Sequence, residues 1–293
     1  MSLRLGYGTN GFAGHRIEDA CRVIADLGYV GVGLTLDQPH LDPFADDVSA
    51  RTDAVARVLA ANDLAVVVET GSRYVLDPWH KHEPTLVSGA DRERRVDLLV
   101  RAVRIGERLD AEAVSFWSGT LPAGASPQEG WRRLVDSIGP VLDEAAERGV
   151  TCAFEPEPGM FVSTVDDALS LFDRLGNPEH LRLTLDVGHL VCNEDRSPTE
   201  CVQAAGGLLA NVQLDDMRRE VHEHLEFGDG ELDLPAVLQA LVDVGYDGLA
   251  AVELPRHSHA APVVARRCMQ QLTAALAGPE RDGPEQVTQE AAS

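Results

Sequence analysis

The sequence predicts a closed parallel (β/α)8 barrel in a single domain, and three observations predict it. Short apolar runs alternate with amphipathic helical stretches eight times along the 293 residues. That serial strand-then-helix order is what a parallel sheet requires. Three of the apolar runs end in a carboxylate: 152–157 reads Cys-Ala-Phe-Glu-Pro-Glu, 181–190 reads Leu-Arg-Leu-Thr-Leu-Asp-Val-Gly-His-Leu, and 249–253 reads Leu-Ala-Ala-Val-Glu. Barrels of this kind carry their active sites at the carboxyl ends of the strands, so these acids fall where chemistry is expected. The competing architecture is a doubly wound open sheet. Against it, Gly8, Gly11 and Gly14 do not have the spacing of a dinucleotide-binding turn.

In chain order, residues 3–12 read as a first strand opening into a Gly-rich loop. Residues 17–27 carry apolar side chains at helical spacing, and Gly28 stops the helix. A second strand covers 29–36, a loop with two prolines covers 37–47, and a helix covers 48–62. The third strand, 64–70, carries Glu69 near its end. The loop 71–89 is long for a compact domain, and loops beyond about a dozen residues often serve as lids. A helix over 91–109 follows, then a fourth strand over 113–117 ending in Trp117, and a helix over 127–148 expected to bend at Gly139-Pro140. The fifth strand is 151–155, with a helix over 165–175, and the sixth is 181–187, with a short helix over 198–209. The seventh strand is 210–214. A polar loop over 217–231, a helix over 234–244, the eighth strand over 248–254 and a last helix over 265–276 complete the barrel. The expected domain is 1–277, and the polar, Pro- and Glu-containing stretch 278–293 reads as a disordered tail.

Composition excludes several classes. An apolar content of 44% supports a large core, and a formal charge of −23 repels phosphodiester backbones, so nucleic acid is not expected as a partner. Lys81 is the only lysine, which leaves one candidate for Schiff-base chemistry. Five cysteines, an odd number with no Cys-x-x-Cys pair, fit a reduced, cytoplasmic compartment. The N-terminus has no secretory pattern and no run is long enough to span a membrane.

Glu155 and Glu253 form the strongest pair. Each follows small or apolar residues in a strand that reads as buried, where an unpaired carboxylate costs roughly several kcal/mol unless a cation meets it. A divalent metal removes that penalty and polarises a bound carbonyl, so that a carboxylate can move a carbon-bound proton. The alternative is an ion pair to an arginine in the barrel mouth. Asp186 supplies a third acid or, alternatively, caps the following turn. His189, three residues on, is a candidate metal or hydroxyl ligand. Glu69 and Trp117 read either as pocket wall or as core, the indole being suited to a sugar's C–H face. His80 and His82 flank Lys81 in the loop, and one of His257 and His259 is expected to face the pocket.

These motifs, read together, resemble a known family. Phe154-Glu155-Pro156, Leu185-Asp186-Val187-Gly188-His189, His224 ahead of Gly228-Asp229-Gly230, and Gly245-Tyr246 leading to Val252-Glu253 are similar to the sugar isomerase/epimerase superfamily, the xylose isomerase-like TIM barrel group. That group includes ketose 3-epimerases, inosose dehydratases and, more distantly, endonuclease IV. The resemblance runs from Leu5 to about Leu276. It implies a metal held by Glu155, Asp186 and Glu253, with the family's histidine replaced by Gln213. A Gln oxygen suits Mn²⁺ or Mg²⁺ better than Zn²⁺, with Co²⁺ a further alternative. The site is then all-oxygen, or His222 or His224 swings in, or the metal is weak; the first is favoured. By the same resemblance, Glu155 and Glu253 act as the acid/base pair, His189 and Arg219 bind substrate oxygens, and His224 stands where relatives often carry a histidine; Trp117, Glu69 and His257 are substrate-binding candidates from their own positions.

The expected function is a metal-dependent isomerase or epimerase of a sugar, sugar phosphate or cyclitol, working alpha to a carbonyl through a metal-bound enediolate. An inosose-type dehydratase and a sugar-binding barrel without turnover are the alternatives. A nuclease of the endonuclease IV kind is disfavoured by the acidic surface and by Glu69 and Gln213 standing where histidines would be needed. The partner is a small sugar or cyclitol, and the expected assembly is a homodimer or homotetramer.

Overall fold

Alternation with a period of two decides which face of each strand meets the helices. In Ala65–Glu69, Val66 and Val68 belong to the large core shared with the helices, whereas Val67 joins Ala113, Ala153, Leu249 and Ala251 in a second, smaller cluster inside the barrel. The next inward position, Glu69, opens on the top of the barrel. The same spacing relates Ala153 to Glu155 and Ala251 to Glu253, so an apolar interior layer and a polar upper layer are written into one strand pattern.

The computed structural model describes residues 3–278; the expected tail lies outside the described residues apart from Gly278. The strands are β1 (Arg4–Gly8), β2 (Gly31–Thr35), β3 (Ala65–Glu69), β4 (Val114–Phe116), β5 (Cys152–Phe154), β6 (Leu181–Asp186), β7 (Leu209–Leu214), a separate pair β8 (Asp216–Arg218) and β9 (Val221–Leu225), and β10 (Leu249–Val252). Eight of them close in the order β1-β10-β7-β6-β5-β4-β3-β2, with every pairing parallel. The helices are α1 (Ile17–Asp26), α2 (Val48–Ala61), α3 (Arg92–Leu109), α4 (Pro127–Arg148), α5 (Val165–Leu175), α6 (Val187–Asn193), α7 (Pro198–Ala205), α8 (Leu234–Asp243) and α9 (Ala261–Ala277). This is a TIM barrel, as expected. Leu249 fills its interior where β1 and β2 carry glycines: a Cβ at Gly31 would stand 2.5 Å from the Leu249 side chain.

Four elements differ from expectation. α4 runs through Pro140 as one helix. α9 begins four residues earlier than its apolar pattern, because Pro262 is well suited to a first helical turn, where its missing N–H is not needed. α6 starts on the residue after β6, with Asp186 serving both as the last strand residue and as the helix cap. The polar stretch after β7 is a hairpin, β8 against β9. Among the described residues, no helix is long and apolar enough to cross a membrane. All five cysteines are buried and free.

Candidate functional site

The carboxyl ends of the strands open into a cavity of about 380 Å³. Glu155, Gln213 and Glu253 line it, with Asp186 just beneath its floor, 3.7 Å from the cavity-lining His189. Because β5, β6, β7 and β10 are neighbours in the barrel, these four side chains follow one another along a single arc of the rim. Asp186 and Gln213 are paired in register across β6 and β7. Of the other expected residues, Glu69, Trp117, His189 and His224 also line the cavity.

The capping reading of Asp186 is met by one of its oxygens, and the other is left unpaired. Its Oδ1 accepts the N–H groups of Gly188 at 2.8 Å and His189 at 3.1 Å, capping α6. Its Oδ2 is buried and has no hydrogen-bond partner, and neither has the Oε1 of Gln213. Glu253 accepts from Asn10 Nδ2 at 2.9 Å, and Glu69 from Asn211 Nδ2 at 3.0 Å. Among the described residues, no arginine comes within ion-pair distance of Glu155, Asp186 or Glu253; the imidazoles in reach are His189, 3.4 Å from Glu155, and His224, 3.8 Å from Asp186. The arginine alternative is therefore set aside. Orphaned buried oxygens on adjacent strands, flanked by carboxylates, are the donor chemistry of a hard divalent cation, so the residues present fit the metal that the resemblance implies.

Burial governs the protonation of this floor. It pushes Glu253 up to about 8 and Glu69 and Glu157 up to about 7. Burial, then the charges of Glu157 and Glu253, raise Glu155 well above the usual carboxylate range. Desolvation acts oppositely on imidazole, lowering His189 to about 3 and His222 to about 4. Both rings are neutral at pH 7, each with one N–H and one lone pair.

The stretch that reads as a polar loop in the sequence contributes, as a hairpin, two more side chains. Alternation along β9 turns His222 and His224 to the same side, and both line the cavity. His222 Nε2 lies 3.1 Å from His189 Nε2. His224 Nδ1 lies 2.5 Å from the buried Asp215. With the proton of His224 on Nδ1, its Nε2 is left as an acceptor. Asp215 needs space of its own: a Cβ at Gly188 would fall 2.0 Å from its Oδ1, which accounts for glycine in the Asp-Val-Gly-His run. Donor atoms of Glu155, Asp186 and His189 lie within 4.8 Å of one another, as do those of His189, His222 and His224. Nitrogen donors thus stand beside the oxygen set.

Two expectations are corrected. Arg219 does not reach the cavity; its guanidinium bonds the carbonyl of Glu194 and the carboxylate of Asp195, because the tight turn between β8 and β9 carries it to the outer side. His257 does not line the cavity either and sits 3.9 Å from Glu226. Its neighbour Arg256 is on the lining instead. In the long loop, His82 is at the cavity and His80 is outside, paired with Asp77. Glu157, two residues past Glu155, also lines the cavity. The Glu-Pro-Glu spacing is the available signal for it, since a proline between two acids holds the chain extended after the strand.

A family model described as xylose isomerase-like TIM barrel matches residues 21–276. L-ribulose-5-phosphate 3-epimerase of Shigella flexneri is 24% identical over 248 residues, 83% of this chain and 83% of that protein. Inosose dehydratase of Geobacillus thermodenitrificans is 28% identical over 144 residues, 43% of this chain and 47% of the dehydratase, so the match spans about half of that relative. Among solved structures, 3-keto-D-glucoside 4-epimerase from E. coli superposes with a TM-score of 0.75 at 15% identity, covering 93% of this chain and 99% of that one. That last likeness is one of fold.

Proposed function

The chain belongs to the xylose isomerase-like TIM barrel family, and within it we propose a divalent-metal-dependent isomerase or epimerase of a sugar or cyclitol. The observation that supports this reading is the arc of Glu155, Asp186, Gln213 and Glu253 at the ends of four adjacent strands, where Asp186 Oδ2 and Gln213 Oε1 are buried without a hydrogen-bond partner. These four residues would hold the metal. When bound, it polarises a substrate carbonyl and so acidifies the neighbouring C–H. Everything else is done by the chain itself. Glu155 and Glu253 stand at the two ends of the arc. One takes the proton from the carbon beside the carbonyl and the other returns a proton on the opposite face. The neutral ring of His189, together with His224 and Glu69, meets sugar hydroxyls, and Trp117 offers an apolar face to the ring. Burial of the floor keeps water from the carbanion equivalent.

A screen in D₂O tests the reading. Ketohexoses, ketopentoses and inososes, each with and without a phosphate, are incubated with the protein and Mn²⁺ and followed by proton NMR. The expected result is deuterium at the carbon beside the carbonyl together with the epimer, and no loss of water. Loss of water would favour the dehydratase alternative, which the inosose dehydratase relative supports and which begins with the same proton removal. Binding without any exchange would favour a non-catalytic barrel.

A further inference from the structure

The cavity has two electrostatic ends. Its floor is carboxylate. Its rim on the loop between β3 and α3 carries Arg73, Lys81 and, behind the wall, Arg95. The chain has 25 lysines and arginines, of which only Lys81 is lysine, and its side chain lines the cavity. Many surface arginines are engaged by carboxylates, as Arg256 is by Glu223 at 2.9 Å. Arg73 and Lys81 make no such pair among the described residues; within their loop the pair that forms is His80 with Asp77.

The loop holds these cations in place. The N–H of His82 donates to the carbonyl of Arg73 at 2.6 Å, which closes the excursion between them and brings Lys81 beside Arg73 on one rim. Arg95, 2% exposed, donates to the carbonyls of His82 at 2.6 Å and Pro84 at 3.0 Å. Its guanidinium lies 4.9 Å over the ring of Trp117, a cavity wall, and the His82 ring meets the same indole edge-on at 5.1 Å. His82 sits at φ 66°, a conformation unfavourable for a side-chain-bearing residue. A strained, internally bonded loop braced by a buried arginine is preorganised, and in a chain of charge −23 it concentrates positive potential at one place.

We propose that this rim binds an oxyanion carried by the substrate, a terminal phosphate monoester or carboxylate, with Lys81 and Arg73 as the specificity-determining residues. The proposal rests on the sugar isomerase/epimerase reading for the reacting end of the molecule, which meets the glutamate floor. A bipolar ligand answers a bipolar cavity: the carbonyl end lies on the floor and the anion under the loop. Lys81 also feels the carboxylate of Glu157 on the same lining, and a neutral sugar offers Arg73 no anionic partner.

Inorganic phosphate is the probe, titrated calorimetrically into the Mg²⁺-loaded full chain. The charge-deleted double variant Arg73→Gln, Lys81→Met is expected to bind it roughly 30-fold more weakly or worse, given the usual strength of charge-assisted hydrogen bonds. The charge-keeping double variant Arg73→Lys, Lys81→Arg should retain most of the affinity. Equal affinity in the wild type and the charge-deleted variant overturns the proposal, since any phosphate bound elsewhere, on the metal included, is common to both. Turnover separates the sources. A ketohexose, its terminal phosphate and the matching ketohexuronate are compared by kcat/KM. A phosphate-specific rim prefers the ester and loses that preference as pH falls through about 6, the second phosphate ionisation. A carboxylate-specific rim prefers the uronate and shows no such fall. Preference for the neutral sugar counts against the rim proposal and leaves the sugar isomerase/epimerase reading standing. Phosphate binding that depends on Arg73 and Lys81, with no sugar processed, does the reverse.

Discussion

Glu155→Gln is expected to slow net epimerisation by about 10²–10⁴-fold, the range over which a positioned acid or base contributes, and Glu253→Gln by a similar factor. Both changes are close to isosteric and both remove a buried acid from a crowded floor, so neither should impair folding. The two variants differ in a way that a merely structural role would not produce. If each glutamate serves one face, the Glu155→Gln protein still exchanges the proton of the epimer that faces Glu253, and the Glu253→Gln protein that of the other. Deuterium exchange of each pure epimer, measured by NMR at saturating metal, reads this directly. Full interconversion in either variant would remove that residue from the proton path.

The second large effect concerns stability against pH. Glu69 and Glu157 at about 7 and Glu253 at about 8 sit above the ordinary value of 4.5. These acids hold extra protons in the folded chain, while the buried rings of His189, His222 and His82, lowered to about 3 to 4, oppose them below the free imidazole value of 6.5. The net fall in stability therefore comes as pH rises from about 6.5 to about 8. A tenfold change in one acid's ionisation constant on folding corresponds to about 1.4 kcal/mol, so the metal-free protein should lose on the order of several kcal/mol across the window. For a chain of this size that is roughly 10 °C in Tm. A divalent cation on the floor requires the deprotonated acids and reverses the trend, adding about 2.7 kcal/mol at a hundredfold excess over Kd. Thermal unfolding at pH 6.5 and pH 8, with chelator and with Mn²⁺, checks both halves. A metal-free Tm that rises towards pH 8 would contradict the burial argument.

The barrel is legible in the sequence because its signals are local and repeated. Every barrel strand shows as a short apolar run, and the acids at 155, 186 and 253 stand where such runs end. What is not legible has a common cause. α6 follows β6 without a linking residue, so the Asp186 carboxylate reads as a strand end while it also caps a helix. The hairpin turns at Arg219-Glu220, with Glu220 at φ 60°, and lacks the Asn-Gly pair that marks a two-residue turn. Without that turn, the alternation of Val221, His222, Glu223 and His224 reads as loop, and the shared facing of its two histidines is hidden. The resemblance puts Arg219 at the site, and nearness to Glu253 puts His257 there; the turn and the stretch after Glu253 carry them off the cavity. Asp215 and Gly188 reveal their relation only through a contact across elements. Lys81 stands out by its rarity, but its setting depends on Arg95, farther along the chain.

The proposed chemistry depends on where a metal sits. Crystals grown with Mn²⁺ and measured at its absorption edge give the answer in one anomalous map. The predicted result is one strong peak within bonding distance of Glu155, Asp186, Gln213 and Glu253. A peak enclosed by His189, His222 and His224 instead, or no peak at all with the four side chains unmoved, would contradict it.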